Sequence, residues 1–139
     1  MYSEEFYQLA KKRLKPDGVV QAWLVNAEAA TVAAELRSVC NCFPYVRCFR
    51  GFSNAGLHVV ASMQPIDACT PAELANRLPA KARADLLEWS PTSDAAGYFN
   101  QVLSRELPVD QPLLAHPEVR IIDDLPYNEY FMLRRLRRL

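Results

Sequence analysis

The chain has 139 residues, half of them hydrophobic, and carries 16 Lys and Arg against 16 Asp and Glu. This length predicts one domain, and the balanced charge argues against nucleic-acid binding, which needs a surplus of cations. No apolar run approaches the roughly 20 residues of a membrane-spanning helix, and the acidic start Met1–Glu5 is unlike a signal peptide. The cysteines favour free thiols in the cytoplasm over a disulfide framework; they are Cys40, Cys42, Cys48 and Cys69.

The first part of the chain predicts a helix, a strand and a second helix. Ser3 is suited to cap a helix that extends to Lys15, and Pro16 and Gly18 end it. The following run Val19–Val25 is apolar on both faces, which is typical of a central strand in a parallel sheet with helices above and below. Asn26 is a plausible cap for the next helix, which extends to Val39. This order indicates an α/β fold.

Two further strands are predicted at Tyr45–Arg50 and Leu57–Ser62. The segment between them is too short for a crossover helix, so the two strands should form an antiparallel hairpin. Eight of the ten prolines lie from Pro65 onward. They separate short predicted helices at Pro71–Leu78, Ala80–Trp89 and Ala95–Arg105. The chain finishes with the apolar segment Val119–Ile122 and a short predicted helix at Asn128–Arg138.

Several motifs together resemble spermidine synthase-like proteins, which have the Rossmann-like fold of class I methyltransferases. Tyr2–Tyr7, Arg13–Val20 and Trp23–Leu24 resemble the stretch after that family's fourth strand. Phe43–Arg47 with Gly56–Leu57 resembles its last two strands, and Asp123–Tyr130 resembles the acidic ending of its long bacterial members. The resemblance implies that residues 1–64 form the late strands and helices of a partial Rossmann-like sheet. Residues 65–139 would form a helical C-terminal cap on the same domain.

The family transfers an aminopropyl group from decarboxylated S-adenosylmethionine to putrescine. Its glycine-rich nucleoside site, ribose-binding acid and aspartate-rich catalytic loop would all precede Tyr2, and the four glycines of this chain form no dinucleotide or phosphate motif. We therefore expect no cofactor on this chain alone and no transferase activity from it alone. S-adenosylmethionine or its decarboxylated form would bind only when a complementing half is supplied.

Asp123, Asp124 and Glu129 are the candidate substrate-binding residues, as a rim for the ammonium groups of a small amine. The alternative is structural: Asp123 and Asp124 cap the terminal segment, and Glu129 pairs with Arg134 or faces solvent. Gln21 is a further candidate, since the family often has a glutamine directly before the tryptophan. Here Ala22 takes that place, and Gln21 faces the opposite side of the strand.

No residue is predicted to be catalytic or to bind a metal. Cys40, Cys42, Cys48 and His58 lack the usual spacing of a zinc site, and two histidines in unrelated contexts do not indicate a Ser/His/Asp or Cys/His set. The Arg-rich end, Leu133–Leu139, is read as a helix end stabilised by its arginines or, alternatively, as a basic patch.

A second function class is a non-catalytic binding or assembly module. An incomplete sheet would leave the Val19–Val25 strand with an open edge, which another copy or a complementing chain would cover. Both readings therefore predict a homodimer or a complementing chain as partner.

Overall fold

The computed structural model describes residues 2–25, 28–52, 56–90, 92 and 94–137. The helices and strands of these ranges are α1 (Glu4–Arg13), β1 (Val19–Leu24), α2 (Ala29–Cys42), β2 (Tyr45–Arg50), β3 (Leu57–Ser62), α3 (Pro71–Arg77), α4 (Ala80–Glu88), α5 (Ala95–Leu103), β4 (Glu106–Leu107), α6 (Asp110–Ala115), a 3₁₀ helix (Tyr127–Tyr130) and α7 (Phe131–Leu136). The fold is α/β. No helix in these ranges is long and apolar enough to cross a membrane.

The four strands form one open sheet in the order β1-β3-β2-β4, and every pair of neighbours is antiparallel. The predicted hairpin of β2 and β3 is confirmed. Because β1 and β2 are both antiparallel to β3, they run in the same direction, and α2 connects them. The prediction that β1 is a central, parallel strand is wrong, since β3 lies between β1 and β2 and leaves β1 at the edge. The predicted open edge of β1 is present in the described part of the chain, and assembly through this edge stays a prediction.

The two faces of β1 differ in burial. Val20, Ala22 and Leu24 pack into the main core with Tyr7 of α1 and Leu36 of α2. On the other face, the side chains of Val19 and Trp23 remain 55% and 47% exposed. The prediction that helices cover β1 on both faces is therefore also wrong. Helices α1 and α2 pack against one face of β1, and Val19 and Trp23 on the other face are exposed.

Local sequence explains where α1 and α2 begin and end. Ser3 caps α1 by accepting a hydrogen bond from the Phe6 amide, with Glu4 and Glu5 in the first turn and three basic residues in the last. Helix α1 ends at Arg13, two residues earlier than predicted. Helix α2 begins at Ala29, with Glu28 at the N-cap position. The predicted cap, Asn26, lies outside the described residues.

Helix α2 is buried on two sides. Leu36 and Val39 contribute to the sheet core, while Ala33 and Ala34 pack with Val119 and Ile121 from the C-terminal segment. The guanidinium of Arg37 donates to the carbonyl oxygen of Leu113 at 2.7 Å and also to that of Val119. These contacts fix the C-terminal segment to α2.

The second half contains two elements that the sequence did not predict, β4 and α6. The two residues of β4 pair with Cys48 and Phe49 of β2, and α6 packs against α2. Helices α3, α4 and α5 begin at the predicted residues and end one or two residues early. Helix α3 starts with a capping box in which Thr70 and Glu73 bond reciprocally.

Candidate functional site

The start of α1, the end of β1, helix α2 and the C-terminal segment meet at one place, which we call the acidic corner. It contains Tyr2, Tyr7, Glu35, Asp123 and Asn128. The Tyr2 hydroxyl donates to the carbonyl oxygen of Trp23 at 2.8 Å, which joins the chain start to the end of β1. The Glu4 amide donates to the Ile121 carbonyl at 3.1 Å, which joins α1 to the C-terminal segment.

Asp123 is held at the first turn of α1. Its carboxylate accepts a 2.6 Å hydrogen bond from the hydroxyl of Ser3, which is 3% exposed and also caps the helix. The Asp123 amide donates to the carboxylate of Glu5 at 3.1 Å. Asp123 therefore joins the C-terminal segment to the start of α1, a different structural role from capping its own segment.

Asp124 and Glu129 are exposed. Of the two structural alternatives for Glu129, the structure shows the one in which it faces solvent, while Arg134 has other partners. Its guanidinium lies 3.7 Å from the ring centre of Tyr127 and 3.4 Å from the carboxylate of Glu28. Both carboxylates thus face solvent near Asp123 in the chain, where a cation can reach them.

Gln21 is not part of the acidic corner. It lies on the face of β1 away from α1, where its amide nitrogen is 3.3 Å from Nδ1 of His58. Ala22 faces the core instead, as strand alternation requires. The structure therefore places Gln21 on the opposite side of the sheet from Asp123.

Glu35 is the residue that sequence reasoning missed. It is only 4% exposed, and its Oε2 makes no hydrogen bond to any residue that the structure describes. Burial raises the pKa of the Glu35 carboxyl from 4.5 to about 7, although a hydrogen bond from Asn128 acts in the opposite direction. The available signal was a glutamate inside the helical run Ala29–Val39, whose neighbours are mostly small or apolar.

Two tyrosines surround Glu35. Tyr7 is fully buried, and its hydroxyl has no hydrogen-bond partner in the described part of the chain. Burial, followed by the charges of Tyr2 and Glu35, raises the pKa of Tyr7. Burial and the Glu35 charge also raise the pKa of Tyr2. The corner thus combines the exposed carboxylate of Asp123 with the buried carboxyl of Glu35, whose raised pKa lies near neutral pH. This arrangement is suited to holding a cation or accepting a proton.

The described residues outside the acidic corner offer no metal site, and three of the four cysteines have no activated thiol. The described residues contain no group of three or more His, Cys, Asp or Glu side chains that could hold a metal ion. All four cysteines are free, and burial raises the pKa of Cys48 to about 11. Burial also raises the pKa of Cys40 and of Cys42, so these three thiols are poor nucleophiles.

No protein-family model matches this sequence, and no curated protein matches it.

Proposed function

We propose that this chain is the C-terminal part of a spermidine synthase-like transferase domain, completed at the free edge of β1 by another polypeptide segment. The observation that carries the proposal is that the outer edge of β1 is not paired with another described strand. This strand has no charged residue, pairs with one strand only among the residues that the structure describes, and exposes Val19 and Trp23. Natural edge strands are usually protected by charges, prolines or bulges, and an unprotected one is a template for pairing.

The direction of the strands supports a partial Rossmann-like sheet. β1 and β2 run in the same direction and are joined by α2, and β3 is the last strand of an antiparallel hairpin. Strands supplied from outside would extend the sheet beyond β1. In open α/β sheets, ligands bind at the carboxyl ends of the parallel strands. The acidic corner lies at that end of β1, since Tyr2 bonds the carbonyl of Trp23.

The proposed reaction is transfer of an aminopropyl group from decarboxylated S-adenosylmethionine to a small amine. The completing segment supplies the nucleoside site. This chain supplies the rim of Asp123, Asp124 and Glu129 for the ammonium groups, and we assign no part of that rim to Gln21. The four free cysteines are in keeping with a reducing compartment such as the cytoplasm.

The first test uses calorimetry. We expect the folded chain alone to give no saturable binding of S-adenosylmethionine or its decarboxylated form at millimolar concentration. The second test is the sequence of the transcript upstream of the Met1 codon, where an in-frame, glycine-rich strand and an aspartate-rich loop are expected. Saturable binding by the chain alone would overturn the need for a completing segment. An in-frame stop codon directly upstream would restrict completion to a separate chain.

The same edge favours a second candidate, a non-catalytic assembly module that forms a homodimer through β1. An antiparallel pair centred on Gln21 would place Val19 of one copy opposite Trp23 of the other, with matching faces. The Val19 amide of the second copy would replace the Tyr2 hydroxyl as donor to the Trp23 carbonyl. Light scattering should then show a dimer at micromolar concentration. Gln21→Lys should dissociate it, whereas Gln8→Lys, an equal change on the exposed face of α1, should not. A strict monomer would overturn this candidate.

A further inference from the structure

A cleft lies between α2, α6 and the ends of β1 and β2, and none of the five residues of the acidic corner lines it. Its volume is about 460 Å³, which is within the range of small-molecule sites. Its walls are mainly apolar and include Val25, Val32, Leu57, Leu107 and Pro112. The cleft extends down to the buried residues Leu36 and Cys48. We call it the Arg50 cleft.

The Arg50 cleft carries a positive charge, which comes from the guanidinium of Arg50. Arg50 is exposed at the end of β2 and forms no ion pair with any described residue. No carboxylate is among the described residues that line the cleft. Three acids lie near the lining residues in the chain. Glu28 lies 3.4 Å from Arg134, and Asp110 accepts from the Gln111 amide at 3.1 Å. Glu118 lies 3.8 Å from the ring of His116, which itself lines the cleft. An apolar channel with one unpaired guanidinium suits a ligand that has an apolar chain and a single negative head.

We propose that the Arg50 cleft binds a small aliphatic carboxylate, with the alkyl chain between α2 and α6 and the carboxylate at Arg50. The guanidinium can hold a carboxylate through two parallel N–H donors. The position agrees with the general rule for open α/β sheets, since β1 and β2 run in the same direction and the cleft lies at their carboxyl ends. This site is independent of the proposed transferase function, whose amine substrate carries the opposite charge.

The test is a titration of the full chain with hexanoate, heptanoate and octanoate, followed by calorimetry and by methyl NMR. We expect the affinity to rise about fourfold for each added methylene until the cleft is full. The methyl signals of Val32 and Leu57 should shift, while those of Leu9 on α1 should not. Hexylammonium and octylammonium should bind at least tenfold more weakly than the carboxylates of equal length.

Two variants and one control distinguish binding of the ligand's carboxylate from binding of its alkyl chain. Arg50→Gln should weaken octanoate binding about fivefold, as expected for an exposed ion pair, and leave 1-octanol binding unchanged. Arg120→Gln removes the same charge from an exposed position outside the cleft and should have no effect. Ala29→Phe, at the exposed rim, should abolish binding of acid and alcohol alike, with folding checked by circular dichroism. No saturable binding, equal binding of the alkylammonium ions, or equal affinity of Arg50→Gln would each overturn the proposal.

Discussion

The hydroxyl of Ser3 donates to the carboxylate of Asp123 at 2.6 Å and at the same time accepts from the amide of Phe6. One buried side chain therefore caps the first helix and joins it to a segment 120 residues later. Since the donor and acceptor roles of a hydroxyl are separate, both bonds exist together. The start of α1 and the C-terminal segment should accordingly be thermodynamically coupled.

Ser3→Ala should lower the free energy of unfolding by about 1–2 kcal/mol, because it removes a helix cap and a hydrogen bond to a charged group. Urea denaturation measures this loss. Ser104→Ala is the matched control, since that exposed hydroxyl only donates to the carbonyl of Gln101, and its effect should stay within about 0.5 kcal/mol. In a double-mutant cycle with Asp123→Ala, additive effects would contradict the coupling.

Glu35 predicts a dependence of stability on pH. The carboxyl has a pKa of about 7 in the folded protein and 4.5 as its ordinary value. Between these values the folded state binds more protons than the unfolded state, so stability falls as the pH rises from 4.5 to 7. The loss of unfolding free energy caused by ionising the buried Glu35 carboxyl is absent below this pH window and complete above it. This loss is at most about 3 kcal/mol.

Glu35→Gln should remove this dependence while keeping a side chain of the same shape. The variant should be more stable than the natural protein at pH 8, by up to about 3 kcal/mol, and nearly equal to it at pH 4.5. Glu88→Gln, which changes an exposed carboxyl in the same way, controls for the lost charge. Parallel stability curves for the natural protein and Glu35→Gln across this pH range would show that Glu35 does not titrate with the raised pKa.

The sequence predicted the regular elements of the first half well because their signals are local. The signals are the Ser3 cap, the Pro16 stop and the short strand-forming runs Tyr45–Arg50 and Leu57–Ser62, and each acts within a few residues. The position of β1 in the sheet depends instead on which strands pair, and an apolar run has the same pattern at an edge as at the centre. The two-residue strand β4 escaped prediction because its pairing with Cys48 and Phe49 is entirely non-local.

The candidate site was predictable only in part. The acidic ending Asp123–Tyr130 attracted attention through its composition, and its contact with Ser3 is a tertiary one that no spacing reveals. Glu35 was missed because a glutamate in a helix usually faces solvent. Its burial follows from α2 being covered on one side by the sheet and on the other by the C-terminal segment. That arrangement is a property of the whole fold.

Adding a single methyl group at Gly56 should lower the stability of the protein strongly. The φ of this glycine is +77°, and a Cβ at this position would lie 2.3 Å from the carbonyl oxygen of Leu24 on the neighbouring strand. Gly56→Ala should therefore destabilise the protein by about 2 kcal/mol or more, through backbone strain and the clash together. Gly97→Ala is the contrast, since it lies in α5 and meets only the Asp94 side chain at 3.0 Å. Equal thermal midpoints for the two variants would contradict the prediction.

Arg47 and Glu106 form a two-bond ion pair, at 2.7 and 2.8 Å, that links β2 to β4. The Arg47 hydrogen bonds lower the pKa of the Glu106 carboxyl, so the folded state releases this proton more readily than the unfolded state. The pair's contribution should accordingly be present above the ordinary pKa of a glutamate and be lost as the pH falls through the lowered value. Because the Glu106 side chain is 40% exposed, Glu106→Gln should cost no more than about 1 kcal/mol at pH 7 and nothing at pH 2. Carboxyl NMR titration of Glu106 in the natural protein and in Arg47→Gln measures the shift directly. An unchanged titration midpoint would exclude Arg47 as its cause.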